Sequence, residues 1–401
     1  MEKRMNDILS VIKPVEDDRN KQLRAIQEIV NSIYFVGALR GATVKPFGSF
    51  ASNLYAKSGD LDVSVELSTD SNFHTSKEKK QDVLRELMTA LEFRGVATYM
   101  HFIPTARVPV LQYVSKLFGI SCDISINNYP GRIKSRILYW VNTIDERFGD
   151  VVLLVKEWAR SQNVNDPKNG TLNSYSLSLL VLFHFQTCEP SILPPMKEIY
   201  DVNIAGDITG MALYNERHLD EVCMANIAKF RRQNAGKRNE SSLLQLITTF
   251  FLKFSHLDSY SSDVISTYTG QIKRIQDNPH WMDKSYCLFV EDPFDRPDNA
   301  ARTVSMEEFH RIARAFKYSG YIFPAPNALR SLCTPEVCSE LDRLRQHVAA
   351  NTHGDQYPHR ASGFSGNRAV HRPEGLQFRQ ASCCSIPGSA AATGVRIRSS
   401  S

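Results

Sequence analysis

The chain of 401 residues is long enough for two ordinary domains and a tail. Its composition, 42% hydrophobic and 23% charged, is that of a globular protein, and its longest mainly apolar stretch, residues 177–185, is about half of what a bilayer span requires. The net charge of +5 is carried mostly beyond Val348, where six arginines face two acids, so the rest is nearly neutral and does not coat nucleic acid by charge alone.

In chain order, helices are predicted over 3–12 and 15–38, broken by Pro14, the second with Leu23, Ile26, Ile29, Val30 and Ile33 as an apolar stripe. The opening residues hold no apolar signal core, so the protein is expected in the cytoplasm or nucleus and not outside the cell. Eight scattered cysteines without paired Cys-x-x-Cys motifs read as reduced thiols, not as a zinc site. Residues 42–70 alternate strand, tight turn, short helix and strand. A helix follows over 77–93, then two strands, 106–114 and 119–126, joined as a hairpin at 116–118. After residue 133 strands become scarce, and helices are predicted at 134–146, 149–162, 173–187, 219–232, 241–254, 305–317 and 335–347. Residues 291–299 form a polar loop punctuated by prolines. Beyond 348 the composition turns to Gly, Ser, Ala, His and Arg without apolar periodicity, and disorder is expected.

The chemistry concentrates in the α/β segment. In 60–67 the apolar residues Leu61, Val63, Val65 and Leu67 alternate strictly, which places Asp60 and Asp62 together on the other face of a strand, roughly 6–7 Å apart. Two such carboxylates need a counter-charge, and a pair of Mg²⁺ ions would supply it for an in-line phosphoryl displacement. Asp123, on a later strand, is the third acid. Gly48 and Ser49, between a strand and a short helix, suit a phosphate approaching the backbone. Singly, a Gly-Ser turn or an Asp-x-Asp edge is commonplace; the combination at this spacing is not. Lys156 and Arg160 stand one helical turn apart, placed to take β- and γ-phosphates or simply to face water. Ser174 and Tyr175 open the next helix, where the tyrosine can stack on a base or pack between helices. The basic cluster Lys229, Arg231, Arg232, Lys237 and Arg238 reads more readily as a solvated loop than as an RNA track. His101, His184 and His256 show no metal-ligand spacing.

With these residues in view, the chain resembles the noncanonical poly(A) polymerase and terminal uridylyltransferase family, in particular plant small-RNA uridylyltransferases of the HEN-suppressor type. The resemblance runs over roughly 15–345 and rests on seven blocks: 46–50, 59–65, 106–111, 120–126, 152–159, 170–176 and 289–294. It implies an α+β fold, with a polymerase-beta-like nucleotidyltransferase domain over 39–133 and a helical, poly(A)-polymerase-associated domain over 134–347. The helices of 1–38 would pack on the helical domain, and 348–401 would form a disordered tail. It further implies metal binding by Asp60, Asp62 and Asp123 and triphosphate contacts from Lys156 and Arg160. Ser174 would touch phosphate or base, Tyr175 would stack on uracil, and Asp292 would belong to the nucleotide-recognition loop. Two positions depart from the family pattern. Asp298 stands where some uridylyltransferases have a base-reading histidine, and a carboxylate there can accept from uracil N3–H or from adenine N6. Lys134 stands where many have a ribose-contacting asparagine.

The implied activity is template-independent addition of uridines from UTP to an RNA 3′-hydroxyl, with Mg²⁺ or Mn²⁺ and unmethylated small RNAs marked for decay as substrates. The tail would be free to hold a protein partner. The alternatives are a cytoplasmic poly(A) polymerase using ATP, a catalytically silent RNA-binding scaffold, and a nucleotide second-messenger synthase.

Overall fold

The computed structural model of the chain describes residues 2–67, 75–204, 216–282, 285–323, 325 and 331–353, with side chains described as far as 346. The tail expected to be disordered lies almost wholly outside the described residues. Helix α1 (Glu2–Ile12) buries Met5, Ile8, Leu9 and Ile12, one stripe at helical spacing. Helix α2 (Glu16–Ile33) buries Ala25, Ile29 and Ile33. Then come β1 (Thr43–Phe47), the single-turn helix α3 (Gly48–Ala51) and β2 (Leu61–Glu66). Helix α4 (Lys77–Phe93) starts where the Ser76 side chain accepts from the Lys79 amide, as an N-cap serine does. Strands β3 (Ala97–Ile103), β4 (Val110–Ser115) and β5 (Ser121–Ile126) complete a five-stranded sheet of order β1-β2-β5-β4-β3. Neighbours are antiparallel except β2 and β5, which run parallel and set Asp62 directly beside Asp123.

The second half is helical: α5 (Tyr129–Asn142), α6 (Glu146–Ser161), α7 (Ser174–Gln186), α8 (Glu216–Gln233), α9 (Leu243–Phe254), α10 (Met306–Ile322) and α11 (Pro335–His353). Side chains of Asn128, Asp145, Asn173, Ser242 and Ser305 accept from the first-turn amides of α5, α6, α7, α9 and α10. Every residue of α7 from Ser176 to Gln186 is buried, so this mainly apolar helix runs through the core with no solvent face. No helix among the described residues is long and apolar enough to cross a membrane. A small second sheet, β7-β6-β8, is formed by β6 (Asp263–Ser266), β7 (Gln271–Arg274) and β8 (Phe289–Glu291).

Residues Met1–Ala350 form one compact unit. Within it lie two large apolar cores, one on the five-stranded sheet and one among the helices. The two N-terminal helices divide between them. Helix α1 packs in the helical core, whereas Ala25, Ile29 and Ile33 of α2 belong to the sheet core beside Val83, Leu84 and Leu87 of α4. Pro14 and the break after Ile12 let the two apolar stripes face different partners. Strand β3, with no buried residue, and the small sheet, with strands of three or four residues, are absent from the sequence expectation.

Candidate active site

The parallel pairing of β2 with β5 brings the predicted acids to one edge of a cleft of about 870 Å³ between the sheet and α5, α6 and α7. Asp62 and Asp123 are register partners on adjacent strands, about 4.8 Å apart in backbone terms. Asp60, two residues before Asp62, lies on the same face and makes a hydrogen bond with Ser121. All three carboxyls are held above the ordinary carboxylate range, burial being the main cause for each. For Asp62 the charges of Asp123 and Asp60 add to burial and raise it to about 7, against the pull of Lys156. Asp123 is eased downward by Gln112, whose amide Nε2 donates to both carboxylate oxygens at 3.0 Å.

Gly48 is tied to this acid row by sterics. Its φ of +66° is a left-handed value, and a Cβ there would sit 2.0 Å from Oδ2 of Asp62. The Gly48 amide donates to Ser135 Oγ at 2.6 Å, which fixes the turn against α5. Ser49 follows at the cleft wall. Glycine is therefore required by the acid itself, as well as suited to a phosphate.

Opposite the acids, Lys156 and Arg160 of α6 line the cleft, as do Ser174 and Tyr175 of α7. Lys156 is buried and gives one N–H to the Leu54 carbonyl at 2.9 Å; burial, then the charge of Arg160, lowers it to about 8, while Asp62 opposes the shift. Arg160 contacts Ser58 Oγ at 3.0 Å and Glu157 Oε2 at 3.0 Å, and its Nε is buried without a partner. Ser174 exchanges hydrogen bonds with Asn165. The Tyr175 hydroxyl donates to Asp292 Oδ1 at 3.1 Å, and its pKa is far above the usual phenol value through burial and then the Asp292 charge.

The two acids of the 291–299 loop take different places. Asp292 is buried behind the cleft wall, where Oδ2 receives Lys134 Nζ at 2.5 Å, and Lys134 lies 5.6 Å above the Tyr175 ring. Lys134, read in the sequence only as a departure, thus lines the cleft and ties Asp292 to Tyr175. Asp298 is not in the cleft lining. Its Oδ2 is shared between Arg107 and Arg302, the latter at 2.8 Å, because the loop turns that carboxylate toward the β3–β4 connection. The sequence reading set Asp298 beside the base; in the structure its carboxylate is engaged by these two arginines. In the basic cluster, Arg231, Lys237 and Arg238 border a second cavity of about 720 Å³ in which Asp145, Glu146 and Glu240 are interleaved, so the charge is mixed.

Sequence reasoning missed Gln112, Ser121 and Lys168. Gln112 had a signal: it is the polar member of the alternating β4 strand and falls on the face of Asp123. Lys168, on the Pro167–Asn169 turn, had none, since its place depends on how the helical part folds back.

As to cations, no three Asp, Glu, His or Cys side chains among the described residues stand around a common point at ligand spacing. The acids are aligned along one cleft edge, with Asp60 turned toward Ser121 and Asp123 toward Gln112. The donor set nonetheless suits a hard divalent ion, because it offers only carboxylate oxygens, whose burial raises the cost of leaving their charge uncompensated.

Comparison with known proteins bears on this geometry. Residues 1–142 match a family model described as the central palm domain of mitochondrial-like poly(A) RNA polymerase. Protein HESO1 of Arabidopsis thaliana is 42% identical over 384 residues, which is 94% of this chain and 74% of that protein. The chain belongs to the noncanonical poly(A) polymerase and terminal uridylyltransferase family. As a member of it, the protein is a terminal nucleotidyltransferase. The Cid1 poly(U) polymerase structure with MgGTP shares the fold at a TM-score of 0.64 and 23% identity, over 82% of this chain and 97% of that one. The mtPAP structure with ATPγS does so at 0.65 and 18%, over 82% and 69%.

Proposed function

We propose that the protein transfers uridine from UTP to the 3′-hydroxyl of RNA, with unmethylated small RNAs destined for decay as substrates, in the cytoplasm or nucleus. The observation that carries this reading is the shared cleft: Asp60, Asp62 and Asp123 along one edge, Lys156 and Arg160 opposite, and Tyr175 between. The likeness to HESO1 supports the choice of substrate class. In this reading residues 39–133 form the catalytic domain and 134–347 the helical one.

Lys156 and Arg160 hold the β- and γ-phosphates, and the lysine keeps two N–H groups beyond the one given to Leu54. Tyr175 offers its face to the base while Asp292 and Lys134 fix the ring. Gly48 and Ser49 let the phosphate chain approach the backbone. Asp123, at the side away from the triphosphate cations, orients the RNA hydroxyl and takes its proton. Bound to the three carboxylates, Mg²⁺ or Mn²⁺ would neutralise charge on the transferring phosphoryl group and on the pyrophosphate that leaves.

Substitution of Asp60 and Asp62 together by Ala is expected to abolish extension of a labelled RNA while leaving the melting temperature at or above that of the parent. Retained extension would refute the acid assignment. The poly(A) description of the matched model and the 26% identity to poly(A) RNA polymerase cid11 of Schizosaccharomyces pombe favour ATP as a second reading. Extension assays with UTP alone and ATP alone decide between them: faster tailing with ATP would overturn the uridylyl assignment and leave the transferase intact.

A further inference from the structure

Asp123 sits in the middle of a row that crosses three strands. On one side its register partner is Asp62 of β2, and on the other it is Gln112 of β4. The Gln112 side chain is engaged at both ends. Nε2 lies 3.0 Å from each oxygen of Asp123, and Oε1 receives Lys168 Nζ at 3.0 Å. The direction of this chain of bonds is not arbitrary. An ammonium can only donate and a carboxylate can only accept, so the amide must turn its oxygen to Lys168 and its NH₂ to Asp123. Lys168 therefore decides which face of the amide the acid meets.

Lys168 is itself held by the helical part. The Pro167–Asn169 turn closes on Gly170, whose φ is +79° and where a Cβ would meet Ser305 Oγ at 2.8 Å. The Ser305 amide donates to the Gly170 carbonyl at 2.9 Å, and Thr303 Oγ1 donates to the Thr171 carbonyl at 3.0 Å. Ser305 is the N-cap of α10. A continuous polar path thus runs from the start of α10, through the turn, across the cleft to β4 and onto the acid of β5.

We propose that Gln112 and Lys168 are positioning residues for transfer: Lys168 orients the Gln112 amide across the closed cleft, and Gln112 fixes the rotamer of Asp123 that meets the attacking RNA hydroxyl. The proposal rests on the reading of Asp123 as a carboxylate at the reacting centre. It gives the enzyme a way to have Asp123 in register only when the helical part stands against the sheet. Neither residue touches the nucleotide in this scheme, so their loss acts on the rate and not on nucleotide affinity. Both side chains reach solvent, so their replacement should not unfold the chain.

The test is steady-state extension by the full chain, with saturating RNA and varied UTP. Gln112→Ala is expected to lower kcat about tenfold, the size of one hydrogen bond to a charged group, with KM for UTP changed by less than about twofold. Lys168→Ala should lower kcat about threefold to fivefold, and Lys168→Arg, which also can only donate, should restore it. Because the two act through one bond chain, the double variant Gln112→Ala/Lys168→Ala should be no slower than Gln112→Ala. Losses that multiply would overturn the proposal, as would a Lys168→Ala effect confined to KM, which would make that lysine a direct triphosphate ligand. Asp123→Asn separates this from the underlying reading. Full activity there would sink the role of Asp123 itself, whereas lost activity there with multiplying losses at 112 and 168 would sink the relay alone.

Discussion

Asp62 is the residue on which the site's electrostatics turn. Its carboxyl is enclosed by the cleft floor, next to Asp123 and Asp60, and Lys156 offsets only part of the cost. In the folded, metal-free protein it keeps its proton up to about pH 7, whereas in the unfolded chain it loses it near the ordinary value of 3.8. Between those values the folded state binds more protons than the unfolded one, so this group's contribution to stability falls as pH rises through the window. The full effect is on the order of a few kcal/mol. Asparagine cannot ionise. Asp62→Asn should therefore melt close to the parent at pH 4 and increasingly above it as pH rises toward 7, the gap levelling off beyond. Melting curves in the presence of a chelator at pH 5 and pH 8 measure this, and a gap that does not widen would mean that neither burial nor the neighbouring acids hold the Asp62 proton in the folded state. The same crowding explains why Gly48 is legible in the sequence as part of the motif, although the Asp62 oxygen that forbids any Cβ there is visible only in three dimensions.

At the level of elements, the sequence revealed what was amphipathic and long. Strand β2, with every second residue fully buried, and α4, with Val83, Leu84, Leu87 and Leu91 on one side, were legible because one face of each meets the same core. Strand β3 was not, because it lies at the sheet edge and none of its residues is buried, so no alternation was written into it. The small sheet was missed because its strands are three or four residues long, too short for a period to show. In the site, the acids and the Gly-Ser turn were legible from one local segment, while Lys168 and Asp298 depend on where distant loops come to rest. The start of α11 is another such long-range arrangement. Thr334 donates through its amide, at 2.9 Å, and its hydroxyl, at 2.7 Å, to Oε1 of buried Glu157, whose other oxygen holds Arg160 at 3.0 Å. Thr334→Val keeps the shape and removes the hydroxyl donor, so it should cost about 1–2 kcal/mol of stability. Because Glu157 also holds Arg160, KM for the nucleotide should rise while kcat stays nearly constant, and Thr334→Ser should recover both. Denaturant titration and extension kinetics on the two variants check this, and a fall in kcat at unchanged KM would break the link from α11 to Arg160.

Across the whole molecule, the two cores meet over the cleft through polar groups. Lys168 reaches Gln112 from the helical side, and Arg107, on the β3–β4 connection, reaches back to Asp295 at 3.1 Å and to Asp298 in the 291–299 loop. That loop also carries Asp292, which holds Lys134 and Tyr175 at the cleft wall. Arg107 is 59% exposed, so its ion pairs contribute little to stability, about 0–1 kcal/mol. Their effect should fall on the geometry of the loop instead. Removing the guanidinium frees the loop from the sheet and loosens the support under Tyr175, the expected base platform. Arg107→Ala should accordingly leave the melting temperature within about 2 °C of the parent, since a fraction of a kcal/mol shifts a chain of this size no further. It should also raise KM for UTP severalfold. Salt provides the second check. Exposed ion pairs are screened as the Debye length shrinks, to about 10 Å at 0.1 M and 3 Å at 1 M. Parent KM should therefore climb with salt more steeply than that of Arg107→Ala, which has already lost the screened contact. Parallel salt dependences in the two proteins would mean that the arginine bridges the cores without holding the nucleotide wall in place.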